Sequence, residues 1–87
     1  DISAVPVIKE KSHLPIIVDP SHASGVRAYV KPLAMSAVAA GADGLMIETH
    51  PNPEVALSDG PQSLTFEQFC ELTEAVRPLA ALVGKSI

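Results

Sequence analysis

The sequence predicts an α/β fold in which helices alternate with parallel strands, and three observations carry that reading. Two short apolar runs, Leu14-Pro15-Ile16-Ile17-Val18 and Leu45-Met46-Ile47-Glu48-Thr49, lack the in-out alternation of a half-exposed strand. Such runs suit parallel strands covered on both faces. Helically spaced apolar residues precede, separate and follow them, giving the order helix, strand, helix, strand, helix, which calls for right-handed crossovers. The polar residues gather just after both runs, where a parallel α/β fold places its function.

From Asp1 to His13 the apolar residues Ile2, Val5 and Ile8 recur every third position, with Asp1 and Ser3 available as caps and Pro6 close to the start. This predicts a first helix. The first strand then stops at Asp19-Pro20, and residues 21–27, with small side chains and Gly25, read as a loop. Between Ala28 and Ala40 the set Val30, Leu33, Ala34, Ala37 and Val38 falls on one helical face, with Pro32 in the first turn and Gly41 as terminator. The second strand runs from Leu45 to Thr49. Residues 51–62 carry Pro, Gly and Asn and read as loop, with room for one helical turn at 54–57. Thr65 with Gln68 forms a capping-box pattern ahead of Phe66, Phe69, Leu72, Val76, Leu79 and Val83 at helical spacing. The final helix therefore starts there, with a kink or interruption expected near Arg77 from Pro78 and an end at Gly84. Two parallel strands leave both edges open, so the chain is expected to belong to a larger barrel or to pair with copies of itself.

Composition narrows the function. Of 87 residues 47% are hydrophobic and 18% charged, which is folded-protein composition. A chain of this length buries a modest core, and the lone Cys70 offers no intrachain disulfide. An unpaired cysteine and the lack of a secretory signal predict a cytoplasmic protein, and no apolar run approaches the roughly 18 residues of a membrane span. Six Lys plus Arg against ten Asp plus Glu, a net charge of -4, argue against nucleic acid as partner and leave small anionic substrates open.

The strand ends supply the candidate chemistry. Asp19-Pro20-Ser21-His22 follows the first strand; Glu48-Thr49-His50-Pro51 and then Ser58-Asp59-Gly60 follow the second. Neighbouring parallel strands lie about 4.8 Å apart, so groups at matching ends reach a common ion. His22, Glu48 and Asp59 make a nitrogen-plus-two-carboxylate set, which favours Mn, Fe, Co or Zn over Ca or Mg. Each residue also has an ordinary reading: His22 as a solvated loop histidine, Glu48 as a carboxylate paired elsewhere, Asp59 as a turn residue before Gly60. His50 equally suits a backbone-bonded role, and His13 reads as surface. Arg27 and Lys31 either meet a phosphate or stand solvated at a helix start, with the solvated reading favoured for Lys31. Cys70, between Phe69 and Leu72, reads as core packing.

The strings Asp1-Ile-Ser-Ala-Val-Pro, Val18-Asp-Pro-Ser-His22, Ile47-Glu-Thr-His-Pro51 and Ala56-Leu-Ser-Asp-Gly60 together resemble the type I 3-deoxy-D-arabino-heptulosonate 7-phosphate (DAHP) synthases of the beta subgroup, in order and spacing. The resemblance implies that residues 1–87 are the C-terminal part of a (β/α)8 TIM-barrel catalytic domain. It implies a metal-dependent transferase that condenses phosphoenolpyruvate with erythrose 4-phosphate, opening the shikimate pathway to aromatic amino acids. It implies His22, Glu48 and Asp59 as ligands of a divalent metal ion, with a fourth, cysteine ligand on an early strand outside these residues. The metal then serves as a Lewis acid toward the sugar aldehyde. The resemblance puts His50 in a catalytic position, where a residue that backs the metal site or one that transfers a proton would sit. Arg27 resembles the second of two adjacent arginines in a substrate-binding loop, the first being replaced by Val26. A homo-oligomer is expected, with no nucleic acid or membrane partner. The related 3-deoxy-octulosonate 8-phosphate synthases, which take arabinose 5-phosphate, share the ligand types and stand as the alternative. So does a self-associating barrel fragment; the 87 residues alone are expected to be inactive.

Overall fold

The computed structural model describes residues 1–56 and 58–86. Helix α1 spans Ala4–Lys11, strand β1 Ile17–Val18, helix α2 Pro20–Ser24, helix α3 Arg27–Ala40, strand β2 Gly44–Leu45 and helix α4 Phe66–Leu82. Two 3-10 turns, Pro53–Val55 and Gly60–Gln62, lie between β2 and α4. The strands are parallel, with Ile17 opposite Gly44 and Val18 opposite Leu45.

The expected order is present, but the strands are shorter than the apolar runs that announced them. Pro15 has no N–H to donate, and among the described residues β1 has a partner on one side only. Where the ladder starts, the Ile16 carbonyl accepts from the N–H groups of Asp43 and Gly44 at 2.9 and 3.2 Å. Beyond Leu45 the second strand changes partner. Met46 N–H still donates to Val18 O at 2.8 Å, but Thr49 forms a parallel bridge with Leu64, and Glu48 O accepts from Leu64 N–H at 2.9 Å. That switch draws the loop after residue 51 back over the C-terminal end of the sheet.

Residues 21–27 are not simply loop. Asp19 caps α2 by accepting the His22 N–H at 2.9 Å, Pro20 occupies the first turn, and Gly25 at φ 64 closes the helix by donating to Ser21 O. An acceptor, a proline and a left-handed glycine in these positions are helix punctuation, which small side chains at 21–24 had disguised.

Helix α3 starts at Arg27, so Pro32 lies inside it rather than in its first turn, and the Ala28 carbonyl loses its intrahelical donor. Val30, Ala34, Ala37 and Val38 are buried, whereas Leu33, at the margin of that stripe, is exposed. Helix α1 is shorter than expected and of its predicted stripe only Val5 is buried, Ile2 and Ile8 being exposed. Helix α4 opens with both halves of the capping box: Thr65 Oγ1 accepts from Gln68 N–H at 3.1 Å, and Gln68 Oε1 from Thr65 N–H at 2.9 Å. It continues through Pro78 without the expected interruption, the Glu74 carbonyl losing its intrahelical donor there. Its buried stripe is Leu72, Val76 and Ala80. Cys70 sits about 200° round the helix from Leu72, at roughly 100° per residue, and is exposed rather than core. The expected turn at 54–57 appears as the 3-10 turn Pro53–Val55, with Leu57 outside the described residues.

The core lies between α3 and α4, where Val30, Ala34 and Val38 meet Leu64, Leu72, Val76 and Ala80; a second cluster of Val5, Ala37 and Ala42 joins α1. The helices cover one face of the sheet. On the other, Ile17 and Met46 are 58% and 54% exposed, and the molecule is a thin wedge of 41 × 23 × 17 Å. At the N-terminal end of the strands Asp43 accepts from Lys9 and Lys85, each at 2.8 Å, and from Ile16 N–H at 2.9 Å, clasping α1, β1 and the chain beyond α4. Those donors hold its carboxyl far below the usual range, the Lys85 bond contributing most and the Lys9 bond next.

Candidate metal centre

The polar residues expected at the strand ends converge at the opposite end from Asp43. His22 is presented by α2, Glu48 by the extended chain after β2, and Asp59 by the residue that enters the second 3-10 turn. One ligand atom from each lies within 4.8 Å of the others. His22 Nε2 stands 3.2 Å from Asp59 Oδ2 and 3.8 Å from Glu48 Oε1. All three are partly open to solvent, with side-chain exposures of 45%, 38% and 36% for His22, Glu48 and Asp59.

Neighbours hold the His22 ring, the Glu48 backbone and the Asp59 carboxylate. Asp19 Oδ1 caps α2 while its Oδ2 lies 2.6 Å from His22 Nδ1. With the ring proton on Nδ1, donated to Asp19, the Nε2 lone pair faces Glu48 and Asp59. A carboxylate behind a histidine in this way orients the ring and raises its basicity as a ligand. When protonated the ring donates to both Asp19 and Asp59, and these bonds, the one to Asp19 foremost, raise the His22 pKa above its ordinary value. For Asp19, burial pushes the carboxyl up, but the His22 backbone and ring hydrogen bonds outweigh it and leave the group below its ordinary value. Ser21 is fully buried and its Oγ accepts the Glu48 N–H at 3.0 Å, tying α2 to the chain that carries Glu48. Asp59 adopts a left-handed conformation at φ 56; Gln62 Nε2 donates to its Oδ1 at 2.9 Å and Ser63 Oγ to its carbonyl at 2.7 Å. Gly60 follows because a Cβ there would stand 2.6 Å from the Pro53 carbonyl oxygen.

The donor set fits a first-row divalent cation. It offers an imidazole nitrogen and two carboxylates, a borderline combination suited to Mn, Fe, Co or Zn. Within 4.0 Å of the Glu48 and Asp59 carboxylates the described residues place His22 and no Lys or Arg.

The other sequence-predicted residues lie round this cluster. His50 Nδ1 accepts the Asn52 N–H at 2.9 Å, which puts the proton of the neutral ring on Nε2. Arg27 donates through Nε to Ser63 O at 2.7 Å and through Nη2 to Gly60 O at 3.0 Å, with Nη1 3.7 Å from Glu54. Lys31 and His13 are exposed. Sequence reasoning did not single out Asp19 and Ser21. An Asp three residues before a His, with Pro between them, is a cap pattern that could have flagged Asp19; Ser21 left no local signal.

Comparison with known proteins decides the family. Residues 1–84 match the model of the DAHP synthetase I family. The chain belongs to that family. It is 55% identical over 87 residues to a phospho-2-dehydro-3-deoxyheptonate aldolase of Thermotoga maritima, an alignment covering 100% of this chain and 26% of that protein. A 2-dehydro-3-deoxyphosphooctonate aldolase of Desulfosudis oleivorans is 40% identical over 87 residues, covering 87% of this chain and 31% of the relative. Among solved structures, a truncated form of the Thermotoga maritima DAHP synthase superposes with a TM-score of 0.95 at 56% identity, over 99% of this chain and 33% of that one. The chain thus spans about a quarter to a third of the length of these relatives. Among the described residues no helix is long and apolar enough to cross a membrane.

Proposed function

We propose that residues 1–87 form the C-terminal part of a (β/α)8 barrel that condenses phosphoenolpyruvate with erythrose 4-phosphate, giving DAHP and inorganic phosphate. The observation that carries this reading is the meeting of His22, Glu48 and Asp59 at the C-terminal strand ends of a DAHP synthetase family chain. The bare sheet face at Ile17 and Met46 supports membership of a larger barrel, since its interior would cover that face.

In this reading His22, Glu48 and Asp59 hold a divalent cation, which when bound supplies Lewis-acid polarisation of the acceptor aldehyde. C3 of phosphoenolpyruvate forms a bond to the aldehyde carbon, a proton goes to the aldehyde oxygen, water adds to C2, and phosphate leaves C2. Asp19 keeps the His22 lone pair aimed into the site, and Ser21 keeps Glu48 at the strand end. His50, with its proton on Nε2, is suited to pass a proton to or from a reacting oxygen.

A second reading, with arabinose 5-phosphate as acceptor, draws support from the phosphooctonate aldolase relatives at 33–40% identity. The 55% identity to the heptonate aldolase favours erythrose 4-phosphate. Phosphate release from phosphoenolpyruvate by the complete barrel, with manganese present and each sugar offered separately, distinguishes the two. Release with erythrose 4-phosphate alone is the expected result; release only with arabinose 5-phosphate would transfer the assignment, and release with neither would refute both.

A further inference from the structure

Arg27 is placed where an anion-binding arginine would be sought, yet its guanidinium is committed to backbone. Nε donates to Ser63 O and Nη2 to Gly60 O, at 2.7 and 3.0 Å, while Nη1 faces Glu54. One side chain at the start of α3 thus grips the second 3-10 turn at both ends and reaches toward the first. Asp59 is the residue immediately before that turn. Its left-handed backbone is an uncommon state for a residue with a side chain, and surrounding structure must over-determine it. Within the turn Gln62 and Ser63 hold Asp59, and at the exit Leu64 is tied to Glu48 and His50. Arg27 is the side chain that joins the middle of this loop to a long helix of the scaffold.

From this geometry we infer that Arg27 is a positioning residue for Asp59: it anchors the carbonyls of Gly60 and Ser63 to α3 and so fixes the carboxylate at its place beside His22 and Glu48. The inference rests on the metal-site reading proposed above. A guanidinium suits the task because its rigid fork delivers two donors to two separate acceptors, which an ammonium on a flexible stem does not reproduce. Groups that hold a metal ligand from behind are typically worth about 10- to 100-fold in metal affinity.

The test compares wild-type complete enzyme with Arg27→Lys and Arg27→Gln. Free Mn2+ is followed by electron paramagnetic resonance during titration, and hydrogen exchange is measured over the peptide containing residues 59–64 in metal-free protein. Expected are an Mn2+ dissociation constant raised about 10-fold or more in Arg27→Gln and less in Arg27→Lys, and faster exchange across residues 59–64. At saturating Mn2+ the KM values for phosphoenolpyruvate and sugar phosphate should stay within about twofold of wild type, because excess metal refills the site and no substrate contact is removed. Mn2+ affinity and exchange both unchanged would overturn the inference, and a raised KM with unchanged Mn2+ affinity would assign Arg27 to substrate instead. Should Arg27→Gln fail to fold, Arg27→Lys carries the comparison. A wild-type protein that binds no Mn2+ would refute the metal site itself, while exchange in the metal-free protein would still decide whether Arg27 anchors the loop.

Discussion

Asp19→Asn separates two roles that one carboxylate performs. Oδ1 caps α2 through the His22 N–H, and Oδ2 takes the His22 ring proton across 2.6 Å. Asparagine caps a helix about as well as aspartate, so the metal-free protein should melt within about 0.5 kcal/mol of wild type. Its amide cannot serve both contacts. If the carbonyl oxygen stays on the His22 N–H, the NH2 group faces Nδ1 and drives the ring proton to Nε2, the nitrogen 3.2 Å from Asp59 and 3.8 Å from Glu48. The lone pair is then lost from the side where a cation would bind, and the carboxylate's contribution to ligand basicity is lost with it. Losing the carboxylate that orients a metal-binding histidine costs about 10- to 100-fold in affinity, or about 1.4–2.7 kcal/mol of binding free energy. Calorimetric titration of Mn2+ into wild type and Asp19→Asn, with thermal melts of both metal-free proteins, measures the two roles independently. An unchanged Mn2+ affinity with a clearly lowered melting point would show that Asp19 matters as a cap and not as an orienting group.

Other perturbations follow from the same structure. Gly60→Ala places a Cβ about 2.6 Å from Pro53 O, and should cost about 1–3 kcal/mol in denaturant unfolding as well as weakening Mn2+ binding by moving Asp59. Leu72→Ala, at a residue 2% exposed in the α3–α4 core, should cost about 2–3 kcal/mol in the same assay while leaving metal affinity near wild type. Asp43→Asn should lower the melting temperature at neutral pH. The Asp43 carboxyl titrates below its unfolded value of 3.8, so its stabilisation is fully present above that value and is lost as pH falls toward the folded one. Melts of Asp43→Asn and wild type should therefore converge as the solution is acidified, and a gap that persists would contradict the clasp. His50→Gln in the complete barrel should lower kcat by about 100-fold if the imidazole transfers a proton, with Mn2+ affinity retained.

Much of the fold was legible because it rests on local rules. The capping box at Thr65 and Gln68, the glycine stop at Gly41 and the stripe Val30–Ala34–Val38 depend on neighbours along one helix, whereas of the apolar residues expected to line α4 only Leu72 and Val76 are buried, with Phe66, Phe69 and Val83 exposed and Ala80 buried instead. Helix α2 obeys such rules as well; Asp19, Pro20 and Gly25 were readable as its punctuation, and the small residues between them obscured it. What local rules do not supply is partnership across the chain. Ladder length depends on whether a neighbouring strand is present, so the apolar runs at 14–18 and 45–49 overstate β1 and β2. Cys70 shares its helix with Phe69 and Leu72, and only the burial of Leu72, Val76 and Ala80 shows which face turns inward. At the site, residue type and position raised His22, Glu48 and Asp59 as one candidate set among ordinary readings, and the four family-like strings singled them out as ligands. The contacts behind them were not legible: Ser21 meets Glu48 across 27 residues of sequence, and Arg27 meets Gly60 and Ser63 across 33 and 36.

The most direct test of the metal centre is anomalous diffraction from crystals of the complete barrel equilibrated with Mn2+. A peak bonded to His22 Nε2 and to oxygens of Glu48 and Asp59, and lost in Asp59→Ala, is the predicted result. No peak among these three side chains, or one that survives Asp59→Ala unchanged, would contradict it.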